Sequence, residues 1–440
     1  MSLIFLSYFF ALPALALILL QISGFSLLRL GLIQFVTIRL LVFSFIGTLP
    51  LFFGLDRRRL NSGVDDPNLV LQVMLFSGAT ILLFVIGAMF ARNILKSPAI
   101  ANSFTEFSVN KTESMFLVLL LMISISVLML YLSQLSDVAI LVALAGDAGV
   151  AEARSSMTNN FQGKYHWYNL FMIELAKIVS FSFFCAFLII KRKLFLILFL
   201  ISFLALVFSL TMSAQKGPLA WTLIGLFMVY AASRHRGRYP VRGLFIVGLT
   251  VFLATSAMYI VTGSQDDLIG AGASIVSRSF AGSIQPAYHY LQFFPKVQGF
   301  LMGGSFPNPG GFFPWGGYSI TVEVMNWFDP TLADRGIVGS MPTVFWGEAY
   351  ANFGYLGIVI VPFFAGFLLF FIDRYFSKIR DAPIKVGFYV WMILHYSKLA
   401  QTGFSGYLID LNMLVLLTIF LFVILASNRM KIAIQGKSIE

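Results

Sequence analysis

LVLQVMLFSGATILLFVIGAMFA, residues 69–91, holds no charged side chain; Asp65, Asp66 and Pro67 precede it and Arg92 follows. A bilayer core is about 30 Å thick, and a helix needs about 20 apolar residues to cross it. This stretch reads as a membrane span. Outward from it, comparable apolar runs lie at 3–22, 34–54, 115–133, 168–190, 194–210, 217–233, 243–262, 352–373, 385–403 and 408–427. The pattern predicts an all-α polytopic membrane protein of about 11 (10–13) transmembrane helices, forming a single integral membrane domain over 1–440. The first run has neither a basic start nor a small-residue cleavage site, so it reads as a retained span.

Composition agrees. The chain has 440 residues, 59% hydrophobic and 11% charged, with a mean hydropathy of +0.88; a soluble domain carries about 25% charged residues. The net charge of +11 does not point to nucleic acid. Its Lys and Arg fall mostly in short connections between apolar runs: Arg29; Arg92, Lys96 and Lys111; Lys191–Lys193; Arg234–Arg242; Arg374–Lys385; Arg429–Lys437. That set outnumbers the basic residues of the alternate connections by about two to one, which assigns it, with the C-terminus, to the cytoplasm. Arg57, Arg58 and Arg59 lie against that rule, in a loop that also holds Asp56, Asp65 and Asp66.

Two outer loops are then long, one at 134–167 and a large one at 263–351. The large loop carries Trp315, Trp327 and Trp346, so it can bury surface and is expected to be partly helical rather than disordered. Within it, SRSFAGSIQPAYHYLQFF would put Arg278, Gly282, Gln285 and His289 on one helical face, with Pro286 kinking or starting a helix there. Arg278 can grip phosphate with its planar fork, and His289 can exchange a proton near neutral pH. GFLMGGSFPNPGGFFPWGG, residues 299–317, is too rich in Gly and Pro for helix or central strand and reads as a loop or lid.

VFWGEAYANFGYLGIVI follows. Glu348, Asn352 and Tyr355 are spaced for one helical face, and Gly347, Gly354 and Gly357 suit close packing. A carboxylate at the edge of an apolar span is costly unless paired or used, so Glu348 is a candidate base, with an ion pair to Arg335 or Lys398 as the bland alternative. Arg154 lies in the shorter loop beside Glu152, Lys164 and His166. Lys177, almost mid-span, follows Glu174 by three residues and can pair with it on one helix. Lys216 precedes Gly217 and Pro218 at an outer helix end. The four His are scattered, without HExxH, an Asp-rich cluster, a P-loop or a strand-borne GxGxxG, so no metal and no cofactor is expected. Cys185 reads as an apolar filler. His395 has no Asp close in sequence, which argues against a membrane acyltransferase.

Four places together resemble the O-antigen polymerase (Wzy) family: ALAGDAGVAEARSSMTNNFQGKYHWYN, SLTMSAQKGPLAW, RSFAGSIQPAYHY and GEAYANFGYLGI, covering roughly residues 134–365. The second departs from the family's common Ser-x-Arg-Gly by carrying Lys216. The resemblance implies a glycosyltransferase of the bacterial inner membrane that joins undecaprenyl-diphosphate-linked oligosaccharide repeat units on the periplasmic face during O-antigen, lipopolysaccharide or other surface polysaccharide synthesis. It implies membrane lipids and a chain-length regulator protein as partners. Under it, Glu348 or His289 would be the base. Arg154, Arg278, Arg335 and Lys216 would supply cations to the diphosphate, and with Lys177, Asn352 and Tyr355 would make up the diphosphate- and sugar-binding set. An O-antigen ligase shares the architecture. A transporter or flippase for lipid-linked sugars is the alternative that Lys177 and Lys398 favour, since transporters place charge near the midplane.

Overall fold

The computed structural model describes the chain apart from residues 60–61, 96–109, 147–148, 159–160, 162, 309–310, 312–313, 315, 335–337, 378–380, 409 and 438–440; the side chains of 151, 333–334 and 428–437 are also outside the described set. Every regular element among the described residues is a helix. Eight are long and apolar enough to cross a membrane: Ser2–Ile22, Leu32–Phe52, Pro67–Ile94, Lys111–Leu132, Tyr165–Ile190, Lys193–Thr211, Val241–Val261 and Phe345–Ser377. The protein is an all-α polytopic membrane protein. The remaining apolar runs form Gly217–Arg234, Pro383–Ser397 and Leu411–Lys437, which fall short of that length or apolarity as described. The run read at 385–403 leaves the α-helix after Ser397, where Lys398–Ala400 forms one 3-10 turn. Beyond it, glycine and hydroxyl residues at 402–406 favour an irregular course.

The chain clusters into two compact units. The first comprises Met1–Ala101, Ala273–Tyr375 and His395–Asp410. Its longest early helix, Pro67–Ile94, opens on an Asp-Pro pair. Asp66 accepts the Asn68 N–H at 2.9 Å, and Pro67 sits where no N–H is needed. Between helices in lipid there is little hydrophobic drive, so close backbone approach must supply the packing. Glycines supply it here reciprocally. A methyl on Gly87 would lie 2.0 Å from the Phe363 carbonyl oxygen, and one on Gly366 would lie 1.9 Å from that of Phe84. Stacked rings tie the first two spans, Phe5 on Phe52 at 4.0 Å and Phe9 on Phe45 at 5.2 Å. The indole of Trp346, fully buried, donates to Ser77 Oγ at 3.1 Å.

The large loop is partly helical, with Leu268–Ser279, Ala281–Phe293, Ile320–Phe328 and Thr331–Asp334. Ala281–Phe293 packs on the second span and on Pro67–Ile94.

The second unit comprises Asn102–Gly272, Phe376–Leu394 and Leu411–Glu440. Asn110 caps Lys111–Leu132 by accepting the Thr112 N–H and donates to Ser427 Oγ at 2.8 Å. Glu113 accepts the Ile384 N–H at 2.9 Å. In the segment read as the shorter outer loop, two short helices, Ala139–Leu144 and Val150–Met157, fold onto Tyr131, Leu210 and Met212.

Candidate functional site

The site is built on a broken helix. Phe345–Ser377 leaves helical geometry at Gly354, with φ 60° and ψ −142°, a region that only glycine enters without strain. The turns before the break would lose their carbonyl partners, and buried backbone cannot stay unpaired. The glycine-rich stretch supplies them. Leu301 N–H donates to Ala351 O and Met302 N–H to Asn352 O, both at 3.0 Å. Gly303 N–H donates to Asn352 Oδ1 at 2.9 Å. The Asn352 side-chain amide donates in turn to Ser305 Oγ at 2.8 Å and to the Glu348 carbonyl at 2.9 Å. Asn352 thus joins the end of a helix to the loop that closes over it.

Glu348 lies one turn earlier and is 8% exposed. Its carboxylate accepts Ser305 Oγ–H at 3.0 Å, Ser405 N–H at 3.0 Å and the Ser405 hydroxyl in a short bond. Hydrogen bonds to a charged acceptor are roughly twice as strong as neutral ones. A methyl on Gly403 would lie 2.4 Å from Glu348 Oε2, so only glycine admits the carboxylate here. Among the described residues no cation pairs with Glu348. Lys398 places its Nζ 5.6 Å from the centre of the Tyr407 ring. Arg335 lies outside the described residues.

Above the carboxylate is a cavity of about 340 Å³, at the small end of the range for ligand sites. Tyr290, Phe306, Tyr318 and Tyr407 give it aromatic walls, and Asn308, Thr321 and Thr402 add neutral polar groups. Tyr290 donates to the Met341 carbonyl at 3.2 Å. Burial, with the Glu348 charge added, pushes its phenol up from the usual tyrosine range. The segment bearing Ser405 and Tyr407 is held from the second span. Arg39, 6% exposed, donates to Ser397 Oγ at 2.7 Å and to Gln401 Oε1 at 2.8 Å. Gln401 donates to Ser283 Oγ at 3.1 Å. Behind it His395 Nε2 lies 3.8 Å from Asp410 Oδ2 and 3.3 Å from the Tyr407 carbonyl. His395 therefore does have an acidic neighbour, one that its immediate sequence does not reveal.

Of the residues singled out from sequence, Glu348 lines the cavity and Asn352 supports it. Tyr355 does not share their face. The break at Gly354 turns it outward, 63% exposed, where its hydroxyl accepts Gln72 Nε2–H at 3.3 Å. Gly354 and Gly357 serve this break, not helix–helix packing: a methyl on Gly357 would lie 2.1 Å from the Ala349 carbonyl.

His289 is not among the cavity-lining residues. It is 1% exposed, with Nδ1 3.1 Å from Gln292 Oε1, Nε2 3.4 Å from Gln285 Nε2, and its ring 4.4 Å from that of Phe328. Burial draws its pKa below 6.5, against the bond to Gln292. The single face expected for Arg278, Gly282, Gln285 and His289 is interrupted at Phe280, which separates two helices; Pro286 sits inside the second without ending it. Arg59, Ser62 and Asp65 meet that second face. Arg59 Nη1 donates to Gln285 Oε1 at 3.0 Å, Gln285 donates to the Ser62 carbonyl at 3.2 Å, and Tyr288 donates to Asp65 at 2.9 Å. Arg278 stays exposed at the end of the first helix.

The other named cations belong to the second unit. Arg154 is exposed on Val150–Met157. Lys177 pairs with Glu174 at 3.0 Å, as its spacing suggests, and Glu174 also accepts the Trp391 indole N–H at 2.7 Å. Lys216 donates to Ser264 Oγ at 2.7 Å, with Nζ 4.6 Å from the Tyr259 ring centre.

Sequence reasoning missed Ser305, Ser405, Tyr290, Tyr318, Tyr407 and Arg39. The signal for Ser405 was TGFSG, a glycine-flanked serine that breaks an apolar run. The signal for Arg39 was a guanidinium within a span. No group of three or more His, Cys, Asp or Glu that could hold a metal occurs among the described residues. Compared with protein-family models, with curated proteins and with solved structures, the chain finds no match.

Proposed function

We propose that the protein transfers a saccharide from a lipid-diphosphate donor to the hydroxyl of a second lipid-linked saccharide, extending a surface polysaccharide. The observation that carries this reading is Glu348, a carboxylate held by two serines under a small aromatic-walled cavity in a polytopic membrane protein. Sugar rings present apolar faces that stack on tyrosine and phenylalanine, and edges that bond to neutral polar groups. Lateral access for polyprenyl tails suits an apolar helical protein. In the step proposed, an acceptor hydroxyl oxygen bonds to the anomeric carbon of the donor. The bond from that carbon to the diphosphate oxygen breaks, lipid diphosphate leaves, and the hydroxyl proton passes to Glu348. Asn352 and the serines orient the carboxylate. The diphosphate needs cations, and Arg278 is one of the exposed cations in the same unit.

The resemblance to O-antigen polymerases supports polymerisation over ligation to a lipid A core. The test is purified protein in lipid, supplied with preformed undecaprenyl-diphosphate-linked repeat units. Formation of a ladder of longer chains is expected. If only single units are recovered, the reading fails. A transporter would need no such chemistry, and substrate already on the outer side would bypass it.

A further inference from the structure

We infer that the sugar ring seated against Glu348 is uncharged, hydroxylated or N-acylated, and that rings bearing a carboxylate or phosphate are refused there. The inference rests on the saccharide reading of the cavity and names the substrate class it takes. Among the described lining residues the Glu348 carboxylate is the only acidic side chain, and no Lys or Arg lines the space. The remaining polar groups that line it, including Asn308, Thr321, Thr343 and Thr402, are neutral. A ring with its own carboxylate would meet a fixed negative charge in a small, partly water-excluded space, where like charges repel more strongly than in water. Lys398 is not among the residues that line the space; its Nζ lies 5.6 Å from the centre of the Tyr407 ring. Glu348 itself cannot turn away, since three donors and the Gly403 backbone fix it. The aromatic faces, negative by their quadrupole, disfavour an anionic ring in the same direction as the carboxylate.

The experiment uses the full chain in lipid nanodiscs at pH 7 and saturation-transfer NMR. Three matched methyl glycosides serve as probes: a neutral disaccharide, the same disaccharide with a hexuronic acid at one ring, and the same with a free amine. The neutral probe should bind, the uronate should bind at least about tenfold more weakly, and the amine should bind no more weakly than the neutral probe. Tyr318→Ala should reduce binding of the neutral probe, which locates it in this cavity. Glu348→Gln should close the gap between neutral and uronate probes. The ordering of the three probes on the unaltered protein decides the matter even if that variant does not fold. Equal binding of neutral and uronate probes overturns the inference while leaving a saccharide site in place. Binding that ignores Tyr318→Ala overturns it too. If no probe binds at all, the saccharide reading itself falls, and the inference with it.

Discussion

Asn352 and Ser305 are joined by a 2.8 Å hydrogen bond that links the end of a broken helix to the loop over it. The same amide side chain accepts the Gly303 N–H and donates to the Glu348 carbonyl, and Asn352 is fully buried. Asn352→Ala therefore leaves Gly303 N–H and the two former acceptors without this partner in a dry place. Stranding a buried polar group costs about 1–3 kcal/mol. A lower thermal midpoint in detergent is expected, together with protease cleavage near residue 303. An unchanged midpoint would show that the amide is dispensable.

Gly354 gives a second, independent test of the break. At φ 60° and ψ −142° an L side chain is strained, at a cost on the order of 1–3 kcal/mol. Gly354→Ala should destabilise the protein by that amount, although alanine favours helices by about 1 kcal/mol over glycine. Stabilisation by alanine would mean that the helix runs straight and that the loop at 301–305 caps nothing. The readout is again the unfolding midpoint.

The eight long apolar helices were legible in the sequence because lipid admits one solution to the backbone's hydrogen-bonding demand, and about 20 apolar residues announce it. Glu348 and Asn352 were legible because polar groups at the edge of an apolar run are expensive. Tyr355 was misread for a local reason. Helical spacing is meaningful only while the helix continues, and GYLG reads equally well as packing glycine or as a break. The partners of Glu348 could not be read, because Ser305 and Ser405 lie 43 and 57 positions away in irregular segments where no periodicity points anywhere. His289 looked like a base from its type alone. Its burial against Gln285, Gln292 and Phe328 goes with contacts from Arg59, Ser62 and Asp65 to its helix, and no pattern within that helix encodes them.

His289 supplies a pH test. Burial lowers its pKa from 6.5, so the folded protein holds it neutral more strongly than the unfolded chain does. A group whose charged form is disfavoured by folding contributes stability that is complete above its unfolded pKa. That contribution is lost as pH falls below that value toward the depressed one. The unfolding midpoint should fall as pH drops below about 6.5. In His289→Gln, which keeps a neutral polar side chain, the fall should be shallower. The comparison is of the two slopes, since carboxylates contribute to both. Identical slopes would assign the titration to another group.

The last prediction asks whether Glu348 is a base or only a clasp between two loops. Both roles use the same carboxylate, so a single substitution cannot separate them. Glu348→Gln keeps the shape and one acceptor oxygen but removes proton uptake, and its amide hydrogens would confront the Ser405 N–H. Ser405→Ala removes one hydroxyl bond to the carboxylate, leaves the main-chain N–H in place and keeps the base. If Glu348 takes the acceptor's proton, Glu348→Gln should slow polymerisation on the order of 10²–10⁴-fold, while Ser405→Ala should cost clearly less, about tenfold, the lower scale of one hydrogen bond to a charged group. If Glu348 is only a clasp, the two variants should lose similar activity and similar thermal stability. The measurement is the initial rate of chain extension by purified protein given preformed lipid-linked repeat units, read beside the unfolding midpoint of each variant. Equal losses in rate would remove Glu348 from the proton transfer and leave it the structural task of holding Ser305 and Ser405 over the cavity.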